Sequence, residues 1–326
     1  MSASFDILGI GNAIVDVIAR AEDPLLGALE LTKGSMSLVD TKRAETIYAA
    51  MGPGTESSGG SAANSCAAAA SIGARVAFIG QVANDQLGQV FGHDIRAAGV
   101  GFDTPPAKEG PPTARCLILV TPDAQRTMCT YLGACVNLSE AAIVPQTVQA
   151  SAATYLEGYL FDPPAAQAAF RKAAALAHQA GRLVSLSLSD PFCVDRHRAA
   201  FRTLVRDEVD ILFANEAEIL SLYQLDRFED AMAAVRAETR VACLTRSEKG
   251  SVIVTPEHTI EIAAAPTRVI DTTGAGDAYA AGFLAGYTKG KALAACGKMA
   301  AIAAAEAISH VGARPQADLK ALIAAV

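Results

Sequence analysis

An aspartate set one turn into a helix behind two glycines is a placement suited to chemistry. This 326-residue chain has one in Asp271-Thr272-Thr273-Gly274-Ala275-Gly276-Asp277-Ala278-Tyr279-Ala280-Ala281-Gly282-Phe283. The apolar run Arg268-Val269-Ile270 before it and the Ala-rich segment after it predict a strand, a glycine turn and a helix start. The first amides of such a helix have no intrahelical partner, and its dipole is positive there, so the turn can hold an anion. Gly274 and Gly276 let the backbone approach that anion. Asp277 at the lip of the hole fits a base that takes a proton from a hydroxyl while the hole neutralises a phosphate. A helix N-cap is the alternative reading, since Asp favours that position, but capping needs one Asp and accounts for neither glycine.

A second glycine-rich helix entry, Ser57-Ser58-Gly59-Gly60-Ser61-Ala62-Ala63-Asn64, puts Asn64 one turn in, where it would face a ligand. An ordinary loop and cap explains this stretch equally well when it is taken alone. Asp16 is a single acid inside the apolar run Ala13–Ala19; burying it is costly unless it is hydrogen-bonded, so a polar ligand facing it is expected ahead of the alternative, a salt-bridged structural role. Asn215 and Glu218 follow the buried-strand pattern 209–213. Taken together, these features point to phosphoryl transfer to a hydroxyl.

The elements that must position these residues alternate. Strand patterns at 5–10, 75–80, 153–156, 183–188, 209–213 and 242–245 are separated by helical patterns, which predicts βαβ units and a mainly parallel sheet. Residues 34–39 alternate like a half-buried strand. The texture changes at 104–135, where 116–120 and 127–131 flank Thr121-Pro122-Asp123-Ala124-Gln125-Arg126 as in a β-hairpin. With 13–39, this segment is expected to form a small β-sheet lid over the ligand edge of a single domain spanning 1–326. No internal repeat or long linker divides the chain.

Composition narrows the function classes. The chain is 51% hydrophobic and 19% charged, with a net charge of −7 and no Lys/Arg run, which argues against a nucleic-acid partner. Apolar runs are too short for a membrane span or a signal peptide, so a cytoplasmic protein is expected. Seven cysteines without a Cys-x-x-Cys pair fit reduced, mostly buried thiols. No Gly-x-x-x-x-Gly-Lys-Ser/Thr, Gly-x-Ser-x-Gly or His-Glu-x-x-His occurs.

Gly59-Gly60-Ser61-Ala62-Ala63-Asn64, continued by Gly73, Gly80, Asp85 and Gly88, resembles the first signature of the PfkB carbohydrate kinases, and Asp271–Asp277 resembles the second. The likeness runs over nearly the whole chain. Within that family, Gly11–Asp16, Tyr131–Cys135, Ser187–Phe192 and Phe213–Glu218 resemble the adenosine kinase branch. The resemblance implies a ribokinase-like three-layer α/β/α sandwich and an ATP-dependent nucleoside kinase, adenosine first. Asp277 would be the base, and Gly274, Ala275 and Gly276 the anion hole. Asp16, Gly60 and Asn64 would hold ribose hydroxyls. Asn12, Ser61, Met36, Met128, Leu132 and Tyr159 would line the nucleobase wall. Asn215 and Glu218 would place Mg²⁺ beside ATP through water, Thr245 and Gly250 would belong to the nucleotide loop, and Arg126 would swing onto the phosphates. A monovalent cation such as K⁺ near Asp271, Thr273 and 309–312 is also carried over.

Two positions depart from the family pattern. Ser247 stands where many relatives have glycine, which would move the loop away from the phosphates or leave Arg246 to add a charge contact. Lys298 lies where a neutral polar side chain near the adenine is usual. A ribose or hexose kinase is the nearest alternative, and a non-catalytic nucleoside-binding protein a more distant one. A small-molecule substrate and a monomer or homodimer are expected.

Overall fold

Short aliphatic runs flanked by turn residues build the central sheet, and polar, glycine-rich segments build a second. The computed structural model describes residues 3–123 and 125–326. Its strands are β1 Phe5–Ile10, β2 Ile14–Arg20, β3 Met36–Leu38, β4 Gly54–Gly59, β5 Val76–Ile79, β6 Val100–Gly101 and β7 Ala114–Val120. They continue with β8 Arg126–Tyr131, β9 Ser151–Glu157, β10 Leu183–Ser187, β11 Ile211–Asn215, β12 Val241–Thr245, β13 Ser251–Val254 and β14 Thr259–Ile262. Nine form one sheet in the order β14-β13-β12-β11-β10-β9-β1-β5-β6, parallel apart from the antiparallel additions of β13 and β14. The architecture is the expected α/β one, with a mostly parallel large sheet and a smaller one.

Alternation along each buried strand sorts side chains into two cores. Ile211 and Phe213 join the layer beneath the helices Ser61–Ile72, Ala275–Tyr287 and Leu293–Ala307. Leu212 and Ala214 point the other way, against Pro164–Gln179, Pro191–Glu208 and Glu216–Tyr223. Burial on both faces is why these strands read as continuous apolar runs. All seven cysteines are free and buried.

The smaller sheet runs β3-β8-β7-β2-β4. Its back, with Val15, Val17, Leu117, Leu119 and Cys129, joins a core that includes Ala44 and Ile47 of the helix Thr41–Ala50. Its front carries Ile14, Asp16, Ile18, Cys116, Ile118 and Met128 toward the open edge of the large sheet. Strand β4 lies in Gly-Thr-Glu-Ser-Ser-Gly, whose polarity and glycines hid it from the pattern that marks strands, so this sheet extends beyond 13–39 and 104–135.

Two expectations are corrected. Residues 268–270 are not a strand: the segment is irregular, Val269 and Ile270 are exposed, and Ile270 is tied by its amide to the Ile308 carbonyl. The 34–39 strand is not half-buried, because Met36 and Leu38 are 48% and 57% exposed on the front of the smaller sheet. Their apolar face borders a cavity rather than the core. Among the described residues no helix is long and apolar enough to cross a membrane.

Candidate active site

The carboxyl ends of β1, β9, β10, β11 and β12 come into line, with Ile10 beside Leu156, Glu157 beside Ser187 and Asn215 beside Thr245. Ligands of open α/β sheets bind at this edge. Between it and the smaller sheet lies a cavity of about 1960 Å³, larger than the ~300–1,000 Å³ of one typical small-molecule pocket and roomy enough for two ligands side by side.

Asp277 sits inside this cavity and is not an N-cap. Gly274 takes that position with φ 79°, leaving Asp277 three residues into the helix. Its Oδ1 accepts from Ser61 Oγ at 2.6 Å and its Oδ2 from Asn64 Nδ2 at 3.4 Å. Both donors stand in the first turn of Ser61–Ile72, so the two glycine-led helix entries meet at this carboxylate. Burial pushes its pKa up to about 6, opposed by the bonds from Ser61 and Asn64 and by the charge of Arg314. A carboxylate poised there is a stronger base than an exposed aspartate yet still ionised at neutral pH.

The turn beneath it has the form of an anion hole. The Ala275 amide bonds the Thr272 carbonyl at 3.3 Å, whereas the Gly276 and Asp277 amides have no acceptor among the described residues. A Cβ on Gly276 would meet nothing within 4 Å, so it would project into the space an anion would fill. A Cβ on Gly274 would stand 2.7 Å from that of Ala313. The glycines therefore have different reasons, one open space and the other close packing with positive φ.

On the acceptor side, Asp16 faces the cavity from β2, and burial raises its pKa to about 6 against the charges of Arg314 and Arg126. Gly60 caps Ser61–Ile72 at φ 95°. Asn64 Oδ1 is buried without a partner, an acceptor waiting for a donor. Asn12 is fixed by Glu157, which accepts from its Nδ2 at 2.6 Å and from the Ala62 amide at 2.8 Å. Burial holds Glu157 up at about 7. Met36, Met128, Leu132 and Tyr159 also border the cavity. Phe192 adds a ring that is 75% exposed.

On the opposite side, Asn215 and Glu218 border the cavity as a closed capping box. Glu218 Oε2 accepts from the Asn215 amide at 2.9 Å and Oε1 from its Nδ2 at 2.6 Å. Among the described residues no group of three or more His, Cys, Asp or Glu side chains could hold a metal ion. Thr245 and Gly250 border the cavity as well. Ser247 keeps the left-handed backbone of a glycine, φ 49°. Arg246 is not among the residues that border the cavity; it pairs with Glu216 at 3.2 Å and lies over the Phe228 ring. Lys298 is exposed and away from the cavity; Ala301, Ala304 and Ala305 form that wall. Arg126 is buried, paired to Asp271 Oδ2 at 2.7 Å, with its Nε and Nη2 unpartnered.

Glu157, Phe192 and Arg314 were not singled out by sequence reasoning. Phe192 stands in Ser187–Phe192, where an aromatic after Asp-Pro was the available signal. Glu157 and Arg314 are lone charges in unremarkable surroundings, and only long-range contacts reveal them.

Residues 35–319 match the family described as pfkB family carbohydrate kinase. The crystal structure of adenosine kinase from Sinorhizobium meliloti is 48% identical, covers 98% of each chain and superposes with a TM-score of 0.90. A probable sugar kinase from Rhizobium etli is also 48% identical over 98% of this chain and 97% of its own, with a TM-score of 0.91. A nucleoside kinase of Methanothermobacter thermautotrophicus is 25% identical over 96% of this chain and 92% of its own. With two glycine-led helices meeting at one carboxylate on this fold, the chain belongs to the pfkB family of carbohydrate kinases and is a phosphotransferase of the nucleoside and sugar kinase type, acting on a hydroxyl acceptor.

Proposed function

We propose that this enzyme transfers the γ-phosphate of ATP to the 5′-hydroxyl of adenosine, with Asp277 as general base. The observation that carries the reading is the pairing of Asp277 with Ser61 and Asn64 directly above unbonded helix amides. Adenosine as acceptor draws support from the S. meliloti likeness and from two exposed rings, Tyr159 and Phe192, that border the cavity. A flat base needs such surfaces; a free sugar does not.

Asp16, the Gly60 turn and Asn64 hold the ribose hydroxyls, and Asn64 Oδ1 accepts one of them. Asp277 takes the 5′-hydroxyl proton as that oxygen attacks the γ-phosphorus, the bond to the β,γ-bridging oxygen breaks, and ADP departs. The Gly276 and Asp277 amides receive the charge on the equatorial oxygens. Arg126, its Nε and Nη2 free of partners, turns from Asp271 toward the phosphates. Mg²⁺ arriving with the triphosphate supplies further positive charge. Glu218 and Asn215 fit a water-mediated hold on it, since Mg²⁺ keeps several waters and seldom needs an all-protein cage. K⁺ belongs to this reading near Asp271 and residues 309–312. Closure of the smaller sheet as a lid excludes water and limits ATP hydrolysis. The cytoplasm is where this chemistry is placed.

The test is a coupled ADP-release screen over nucleosides and sugars with Mg·ATP as donor. Adenosine is expected to give the highest kcat/KM. Turnover with ribose or fructose and none with any nucleoside would overturn the reading in favour of a sugar kinase, which the R. etli likeness makes the second candidate.

A further inference from the structure

Arg314 belongs to no helix or strand, yet it joins both halves of the site. Its Nη2 donates to the Ser58 carbonyl at 2.7 Å and to Ser58 Oγ at 2.8 Å. Ser58 donates in turn from its amide at 2.8 Å and its hydroxyl at 2.5 Å to Asp94 Oδ2. The next residue, Gly59, lies against Asp16: a Cβ there would stand 2.4 Å from Asp16 Oδ2. In the other direction, Ala313 packs on Gly274, the cap of the anion hole. One buried guanidinium thus connects the strand backing the acceptor wall to the turn that receives phosphate.

We propose that Arg314 is a positioning residue that straps β4 to the anion-hole segment and provides the counter-charge for Asp16 and Asp277. The proposal rests on Asp277 being the base. Arg314 is held by charge as much as by hydrogen bonds, since its buried Nε has no partner. Its field reaches Asp16, Asp94 and Asp277. The groups facing the two acids are Arg314, Arg126 from β8, Cys116 from β7, Glu157 and Tyr155 from β9, Tyr159 beyond β9, Ser61 and Asn64 from the helix Ser61–Ile72, and each acid on the other. Of these, Asp16 and Glu157 oppose a second negative charge at the site, and Arg314 favours it. Without Arg314, closing β4 over a substrate would crowd carboxylates together with little to offset them.

The experiment is the pH profile of kcat/KM for the full-length enzyme with adenosine and Mg·ATP, in four forms: wild type, Arg314→Gln, Arg314→Lys and Ser58→Ala. Arg314→Gln is expected to move the acid limb up by about one pH unit, the low end of what a nearby opposite charge produces. It should also raise the KM for adenosine about tenfold by loosening β4, the low end for losing the two charge-assisted bonds to Ser58. Arg314→Lys should leave the limb in place while still raising KM severalfold, because the lysine side chain is one bond shorter and its ammonium falls short of the Ser58 carbonyl and hydroxyl that Nη2 reaches. Ser58→Ala should behave like Arg314→Lys. A folded Arg314→Gln enzyme with an unmoved limb overturns the proposal, as does an Arg314→Lys enzyme with the limb of the Gln form. Should Arg314→Gln not fold, Asp94→Asn carries the charge test, because removing an acid beside Arg314 must lower the limb, and an unmoved or raised limb overturns the proposal. Asp277→Asn separates the two readings: retained turnover removes the base assignment, whereas a dead Asp277→Asn beside an unmoved Arg314→Gln limb removes only the strap.

Discussion

Replacing Asp277 by Asn should produce an enzyme that is nearly inactive and more stable than the parent. The change keeps the side chain's size and leaves Ser61 Oγ a carbonyl oxygen to donate to. Asn64 can rotate its amide so that Oδ1, unpartnered in the parent, accepts from the new amide group. What disappears is a buried negative charge. Burial holds the Asp277 carboxyl at about 6 against an ordinary 3.8. At ~1.36 kcal/mol per pH unit, that difference means the charged form costs the folded state up to ~3 kcal/mol at neutral pH. For a raised carboxyl the folded state binds more protons, so this cost is absent below pH 3.8, grows as pH rises, and is complete above pH 6. The variant's advantage should therefore be full at pH 8, about half at pH 5, and gone near pH 3.8. In a chain of 326 residues it corresponds to a rise in Tm of roughly 4 °C. Loss of the base should lower kcat by about 10²–10⁴-fold, with the KM for the nucleoside little changed. Calorimetry at the three pH values and steady-state ADP release make the comparison. A variant less stable than wild type at pH 8, or one keeping more than about half its kcat, would refute the reasoning.

Three further changes test other parts of the site. Asp16→Asn should raise the KM for adenosine about 10- to 100-fold with a smaller effect on kcat, the value of charge-assisted hydrogen bonds to hydroxyls, measured by initial rates at pH 8. Tyr159→Ala should raise the adenosine KM by about tenfold through lost ring contact; equal loss with a nucleoside and a sugar acceptor would remove the ring from base recognition. Ser247→Gly relieves a left-handed backbone at φ 49°, worth about 1–2 kcal/mol in a non-glycine residue, and adds back about 0.5–1 kcal/mol of chain entropy. Its Tm should equal or slightly exceed that of wild type, and a clear fall would show that Ser247 is held by contacts the backbone angle does not reveal.

What could be read from the sequence was what local chemistry dictates. Gly274, Gly276 and Asp277 stand in one turn, and a glycine turn opening a helix has few other uses. Gly60 and Asn64 were legible for the same reason. The central strands were legible because burial on both faces makes them apolar throughout. Strand β4 was not, since its Ser and Gly side chains serve the site rather than a core. Residues 268–270 looked like a strand because Val269 and Ile270 are apolar, but their apolar surface borders the cavity or lies open. The pairing of Arg126 with Asp271 and of Arg314 with Ser58 joins residues far apart in the chain, where no pattern of spacing operates. Arg246 rests on Glu216 and the Phe228 ring, contacts far from it in the chain that no pattern of spacing announces.

The central claim is that Asp277 deprotonates the 5′-hydroxyl of adenosine for attack on the γ-phosphate. The most direct measurement follows labelled γ-phosphate from ATP into product, with adenosine as acceptor, for wild type and Asp277→Asn side by side. Wild-type enzyme should yield adenosine 5′-monophosphate carrying the label, and the variant almost none. Label found only in inorganic phosphate or in a sugar phosphate when ribose replaces adenosine, or equal labelling of the nucleotide by both forms, would contradict the claim.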